Sequence, residues 1–395
     1  MRDFLPIILG SDENAYACAR MFYEINGERS LVFCSKGLVQ TSFSGILMRY
    51  VIEDFDTPSI FKAVLTTALP KLKKHAKRLL LVPCSDYYSA LAIWGREWLS
   101  EYISNPIIPS YLYDKIKDKI AFKRLCEGMR ISHPQTEITL PSAILSKSSK
   151  RKFPLVCKPA NSNSFEYLHG DGERKKVYFC EGEAELMDAA RILVESGYNN
   201  AVVLQEYIGG GEKYSRVVNA YCDKNSRVRL IGVGEPLLEY KSDRLIGNYA
   251  AIKCVKDRAL CDEAADILEK IGYVGFANFD VKINPENGKY YFLELNPRQG
   301  RSSYFIRVAG ENLMGQMYED IVLEKPYEGR CYAEGGGVWI NEPIGVIKRE
   351  MKRHGLDADG DIWLGKTALD VGFDFSLPRA ISLIKRQVGS FLRPI

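Results

Sequence analysis

Phe279-Asp280-Val281-Lys282-Ile283 and Tyr291-Phe292-Leu293-Glu294-Leu295-Asn296-Pro297-Arg298 decide the reading of this chain. Both runs are strand-like, and the polar turn Asn284-Pro285-Glu286-Asn287-Gly288-Lys289 joins them as a hairpin. A hairpin in which Ile283 faces Tyr291 sets Asp280 opposite Glu294. Asn296 lies two residues beyond Glu294, so it projects from the same face. Carboxylates directly opposite one another cost stability unless something offsets them. Divalent cations holding a phosphate chain would do so, and hard oxygen ligands suit magnesium. The alternative is a solvated hairpin with scattered charges. The apolar neighbours Phe276, Phe279, Val281, Phe292 and Leu295 point instead to a buried sheet.

The 395 residues suffice for two or three domains. A hydrophobic content of 46% with 26% charged residues marks a globular chain. The net charge of +4 is too small to point to nucleic acid, and the basic run over 71–78 reads as a solvated helix face. Ten cysteines occur without a Cys-x-x-Cys pair, so they read as reduced core thiols rather than a disulfide framework or zinc site. No long apolar stretch follows Asp3, and no run of about 18 apolar residues exists. Neither a signal peptide nor a membrane span is expected, which predicts a cytoplasmic protein.

Residues 1–112 alternate strands and helices. A strand over 5–9 runs into Gly10-Ser11-Asp12 and a helix over 13–23; a second strand covers 31–34. A strand over 79–84 runs into Ser85-Asp86 and a helix over 87–98. This is the doubly wound α/β pattern. Ligands bind such sheets at the carboxyl ends of strands, so Gly10-Ser11-Asp12 and Cys84-Ser85-Asp86 are candidate substrate contacts. The same residues are equally good helix caps. No Gly-x-Gly-x-x-Gly follows the first strand, which argues against a dinucleotide site. Pro106 and Pro109 mark a boundary, and 114–129 reads as an amphipathic helix. From 153 to about 323 the chain reads as β-rich with one clear helix over 257–271. A C-terminal extension follows, with Gly335-Gly336-Gly337 and a basic amphipathic tail over 380–393. Packing onto the protein is the expected fate of that tail, and a membrane surface the alternative. Gly360-Asp361-Ile362-Trp363-Leu364-Gly365-Lys366-Thr367 spells a P-loop, but no buried strand precedes it and bulky Ile362 and Trp363 stand where backbone should cradle phosphate. The match reads as accidental.

A metal–phosphate site needs cations, a slot for a base, and a lid. Phe153-Pro154-Leu155-Val156-Cys157-Lys158-Pro159 is a strand ending in a lysine. The small polar loop Ala160-Asn161-Ser162-Asn163-Ser164 can present donors to phosphate, and Gly170-Asp171-Gly172 adds flexibility. Val202-Val203-Leu204-Gln205-Glu206-Tyr207-Ile208 breaks into the hinge Gly209-Gly210-Gly211, which can leave edge backbone free for adenine. Helix lysine, strand lysine, hinge, Asp280 and the run Glu294-x-Asn296-x-Arg298, in that order, resemble the ATP-grasp superfamily of carboxylate–amine ligases over roughly 112–325.

The resemblance implies a mixed α/β and α+β fold: an N-terminal doubly wound pre-ATP-grasp domain (1–112), a two-lobed ATP-grasp domain (113–325, hinge near 205–212) and a C-terminal extension (326–395). By position it implies that Lys119 and Lys158, with Ser162, hold phosphates. Gln205, Glu206 and Ile208 would line adenine and Glu212 would take the ribose hydroxyls. Asp280, Glu294 and Asn296 would hold magnesium. Arg298 would steady an acyl phosphate, and Arg244 would reach substrate. More narrowly, the start Pro6-Ile7-Ile8-Leu9-Gly10-Ser11-Asp12-Glu13-Asn14 is similar to that of D-aspartate ligases of cell-wall synthesis. That likeness implies ATP, two magnesium ions (manganese as a substitute), and an amide formed from a carboxylate such as D-aspartate and an amine on a peptidoglycan precursor. The partners are then small molecules, with homo-oligomer formation left open. An ATP-grasp carboxylase or kinase, or a nucleotide-binding regulatory protein, are the rival readings.

Overall fold

The computed structural model describes residues 1–146, 151–160, 177–241, 247–356 and 361–392. Strands β1 (Arg2–Leu9), β2 (Ser30–Cys34), β3 (Leu47–Val51) and β4 (Ala76–Pro83) form a parallel sheet in the order β3-β2-β1-β4. A parallel sheet needs cover on both faces, and the alternation of β1 supplies it. Phe4 and Ile8 pack on the helix Glu13–Asn26, whereas Leu5, Ile7 and Leu9 pack toward the helix Pro58–Lys73. The expected helix over 87–98 is two helices, Asp86–Trp94 and Arg96–Leu99, because Gly95 interrupts it.

The next unit is an antiparallel sheet of β5 (Thr136–Thr139), β6 (Leu155–Pro159), β7 (Tyr178–Cys180) and β8 (Val202–Glu206), ordered β5-β8-β6-β7. The helix Glu183–Glu195 covers it and was not expected from the sequence. Its buried positions Leu186, Ala189, Ala190 and Leu193 recur at helical spacing, but two of the four are alanines, a weak apolar signal.

The largest sheet contains β9 (Ser215–Cys222), β10 (Val228–Glu239), β11 (Tyr249–Val255), β12 (Gly275–Ile283), β13 (Tyr290–Asn296), β14 (Cys331–Ala333) and β15 (Val338–Ile340). Its order is β13-β12-β9-β10-β11-β15, with β14 parallel on β10. Helices Lys119–Met129 and Arg258–Lys270 cover one face. The other face packs on Tyr304–Val308 and Leu313–Ile321, and through them on the helix Glu13–Asn26 of the parallel unit. The two units therefore share one apolar core. The expected helix over 114–129 begins instead at Lys119. Asp118 caps it, its Oδ1 accepting from the N–H groups of Ile120 (3.0 Å) and Ala121 (2.8 Å).

One register expectation is corrected. Ile283 pairs with Tyr290, not Tyr291. A bulge between Asp280 and Val281 leaves Leu293 as an extra residue on β13, and beyond it Asp280 does face Glu294. The turn is one residue off the expected frame, and the bulge restores that frame at the carboxylates.

The last residues return to both units. β14 and β15 extend the large sheet, and the helix Leu377–Phe391 lies against the parallel unit. Fully buried Arg379 pairs with Asp374 (3.2 Å) and donates to the carbonyls of Gln40 and Ser42. Asp374 in turn accepts from Tyr16, Ser44 and the Gly45 N–H. In the P-loop look-alike, Asp361–Leu364 is a single 3₁₀ turn with exposed Trp363, and Gly360 lies outside the described residues. All ten cysteines are free. Among the described residues, no helix is long and apolar enough to cross a membrane.

Candidate active site

One face of the large sheet carries the acids. Asp280 and Glu294 stand opposite each other, with Asn278 opposite Asn296 one step along the same face. The Asn296 amide, as oriented, donates to Glu294 Oε1 (3.2 Å) and Asn278 Oδ1 (3.4 Å). Burial, and then the charge of Glu294, push the Asp280 carboxyl well above the usual carboxylate range. Burial would raise Glu294 too, but Lys119, hydrogen bonds from Asp280 and Asn296, and Lys158 hold it low. The two carboxyls therefore titrate together, with the surroundings favouring the protonated form at Asp280 and the charged form at Glu294. Among the described residues no three of His, Cys, Asp and Glu converge, so a cation here would rely on two carboxylates and amide oxygens. That all-oxygen donor set fits magnesium.

Two lysines face these acids from separate elements. Lys119 opens its helix at the N-terminus, where the dipole also favours anions. Lys158 ends β6 and donates to Gln205 Oε1 (3.2 Å). Desolvation, with Lys119 beside it, lowers the Lys158 ammonium to about 8 against the pull of Glu294 and Asp280. Gln205 pairs with Thr136 on one side and Val156 on the other. Glu206 accepts from the Gln135 N–H through its carboxylate (3.2 Å) and donates its own N–H to the Gln135 carbonyl (2.8 Å). The ladder ends with Tyr207 N–H on the Pro154 carbonyl (3.2 Å), and the chain enters the hinge at buried Ile208. Glu212 pairs with Lys241 through Oε1, while its buried Oε2 has no partner among the described residues. An orphaned buried acceptor costs roughly 1–3 kcal/mol. It fits a site built for a donor such as a ribose hydroxyl. Ser162, Arg244 and the segments 161–164 and 170–172 lie outside the described residues.

Arg298 is half of a bidentate pair with Asp86, which opens the helix after β4. The cap reading holds for Asp12 and Ser85, which accept from Ala15 and Tyr88 N–H groups. Asp86, one residue past its cap, reaches across to the large sheet instead. Several functional candidates escaped the sequence reading. Arg301 pairs with buried Glu13, and Gln299 donates to the Pro83 carbonyl (3.2 Å), fixing the arginine loop to the strand ends of the parallel unit. Asp12, already among the expected substrate contacts, is raised to about 6 by burial and by Glu13, against Arg301 and Arg298. Partly buried Tyr249 lies near Asp280, Glu239, Glu294 and Glu212, and desolvation with these charges keeps it a phenol, hence a donor. Only Arg301 had a signal, as the second arginine in Arg298-Gln299-Gly300-Arg301.

Comparison with known proteins agrees with this geometry. The family "Carbamoyl-phosphate synthase L chain, ATP binding domain" matches residues 144–315. The D-aspartate ligase of Enterococcus faecium is 35% identical over 350 residues, covering 86% of this chain and 83% of that protein. The carbamoyl phosphate synthase large chain of Rubrobacter xylanophilus is 27% identical over 207 residues, 50% of this chain but 18% of that one. Among solved structures, an L-amino acid ligase from Bacillus licheniformis superposes with a TM-score of 0.58 at 14% identity, covering 82% of this chain and 75% of that one. A biotin carboxylase from Campylobacter jejuni gives 0.59 at 14% identity, with 82% and 72% coverage, and bears on the fold alone. The chain belongs to the ATP-grasp superfamily, within the family of the D-aspartate ligases. It is accordingly an ATP-dependent carboxylate–amine ligase.

Proposed function

We propose that this protein joins the β-carboxylate of D-aspartate to an amine on a peptidoglycan precursor, through an acyl phosphate. The observation that carries the reading is the half-buried, opposed pair Asp280 and Glu294 facing Lys119 and Lys158. We take the chain in three parts, 1–112, 113–325 and 326–395, with the amino-acid donor held between the first part and the arginine loop. Asp280, Glu294 and Asn296 would hold two magnesium ions, for which manganese can substitute. Bound there, the ions would neutralise phosphate oxygens and so make the γ-phosphorus open to attack.

The chain's own residues do the rest. Lys119 and Lys158 supply positive charge to the phosphates, and the family resemblance adds Ser162 as a further phosphate ligand. Gln205, Glu206 and Ile208 border the adenine slot, and Glu212 Oε2 accepts from ribose. The donor carboxylate attacks the γ-phosphorus in line, and ADP leaves. The amine then attacks the acyl carbon, the tetrahedral adduct breaks its C–O bond to expel inorganic phosphate, and the amine's proton passes to solvent or to that phosphate. Arg298 holds the acyl phosphate and its oxyanion, with Arg244 reaching the donor. No side chain acts as a covalent nucleophile, in keeping with ten free thiols, nine of them buried. Catalysis is then positioning and electrostatics.

The test is phosphate release from magnesium ATP across D- and L-amino acids, with and without a precursor peptide carrying a free lysine amine, with mass analysis of the product. D-aspartate plus peptide yields an amide one aspartyl unit heavier. Turnover with a different pair would replace the substrates, and a carboxylated or phosphorylated product would overturn the ligase reading.

A further inference from the structure

The helix Leu377–Phe391 has two apolar faces, and the protein covers one. Ala380, Leu383 and Arg379 are buried against the parallel unit. On the other side Leu377, Ile381, Ile384, Val388 and Phe391 are 65%, 45%, 53%, 53% and 48% exposed. Their spacing of four, three, four and three residues makes one continuous stripe, about 20 Å long at 1.5 Å per residue. Apolar side chains extend it at both ends. The Ser376 hydroxyl donates to the Phe43 carbonyl (2.9 Å), which sets the exposed Phe43 ring beside the helix start. At the far end Arg349 donates to the Phe391 carbonyl (2.7 Å), and the Lys348 ammonium lies 3.4 Å from the ring centre of exposed Trp363.

The two helices at this face carry a surplus of positive charge among the described residues. The helix carries Arg379, Lys385 and Arg386 and no acid. Its neighbour Ile344–Arg353 carries Lys348, Arg349, Lys352 and Arg353 against Glu350 alone, which is buried. Arg379 and Arg386 turn inward to Asp374 and Glu342. Lys385, Lys352 and Arg353 stay at the exposed rim. A second copy docked stripe to stripe would bring cation against cation. An anionic lipid surface instead offers hydrocarbon to the stripe and negative headgroups to the rim, which is the composition of a helix lying in a membrane interface.

We infer that the helix Leu377–Phe391 lies on the surface of an anionic bilayer, seating the ligase there without crossing it. The arrangement is independent of the ligase site, because none of these residues lies in it. The test is cosedimentation of the full chain with phosphatidylcholine vesicles, with and without about 30% phosphatidylglycerol. The expected result is binding to the anionic vesicles only, weakened by about 0.5 M salt. Ile384→Glu with Val388→Glu should lower vesicle affinity at least tenfold while leaving ligation in solution unchanged. Lys385→Glu, which leaves the apolar stripe intact, should weaken binding severalfold and flatten its salt dependence. Sedimentation velocity of the vesicle-free protein runs alongside. Absence of binding at low salt overturns the inference. So does binding that ignores the double substitution, or a dimer that the same substitution dissociates while vesicles go unbound.

Discussion

Arg298 grips Asp86 with two parallel hydrogen bonds, Nε to Oδ1 at 2.6 Å and Nη2 to Oδ2 at 3.1 Å, across 212 positions of the chain. The arginine is 15% exposed and the aspartate 66%. Asp86 therefore holds, from the parallel unit, the guanidinium that the proposed function assigns to the acyl phosphate. Asp86→Ala should raise KM for the carboxylate donor about tenfold, equivalent to ~1.4 kcal/mol for a partly exposed bidentate pair. The Kd for magnesium ATP should stay within about twofold, since Asp86 contacts none of the nucleotide residues. Initial rates with each substrate varied in turn check this. An equal loss in both constants would mean that the pair only supports the fold.

Lys158 predicts a pH signature. Its folded-state value lies near 8, below the usual lysine range, so the charged form is disfavoured before nucleotide arrives. Below pH 8 the charge is present; above it, triphosphate binding must draw a proton from solvent. Affinity should fall as pH rises through 8, by up to about tenfold per unit, with uptake of ~0.9 proton at pH 9 and ~0.1 at pH 7. Calorimetry in buffers of different ionisation heat measures the uptake directly. Lys158→Arg, charged throughout, should remove the dependence.

Glu212 offers a check on the ribose assignment. Its unpartnered Oε2 should be satisfied by a nucleotide hydroxyl. Glu212→Gln should raise KM for ATP about tenfold with kcat little changed, the loss of one hydrogen bond to a charged group. Losing either ribose hydroxyl from the nucleotide (2′-deoxy- or 3′-deoxy-ATP) should cost the native protein a similar factor for the hydroxyl Glu212 accepts. In the variant that further cost should vanish. Additive losses with both analogues would remove Glu212 from the ribose.

Much of this site was legible because its residues lie in periodic strands. Alternation along 279–283 and 291–296 sets which side chains share a face, and the expected pairing of Asp280 with Glu294 is the pairing found. The route to it was not legible. The bulge at Leu293 depends on backbone pairing that no residue type announces, so the turn came out one residue off. The helix Glu183–Glu195 was hidden by its buried alanines, and the expected helix over 114–129 was overextended because Asp118 caps within it. Asn278 shares the face of Asp280 by the same alternation, whereas Tyr249 and Glu13 come near these residues only through tertiary packing. The meeting of Arg298 with Asp86 joins two units far apart in sequence, and neither residue's neighbours foretell it.

The central claim is that Asp280 and Glu294 form the metal–triphosphate seat of a ligase. The most direct test is Glu294→Gln, which keeps size and hydrogen bonding but removes the charge. Ligation measured with saturating magnesium ATP should fall by at least about a thousandfold, an effect of ~4 kcal/mol on the transition state. Circular dichroism and the unfolding midpoint should stay close to those of the native protein, because without the Glu294 charge Asp280 is free to ionise and to take over the attraction to the two lysines. Near-normal ligation by the folded variant would contradict the claim.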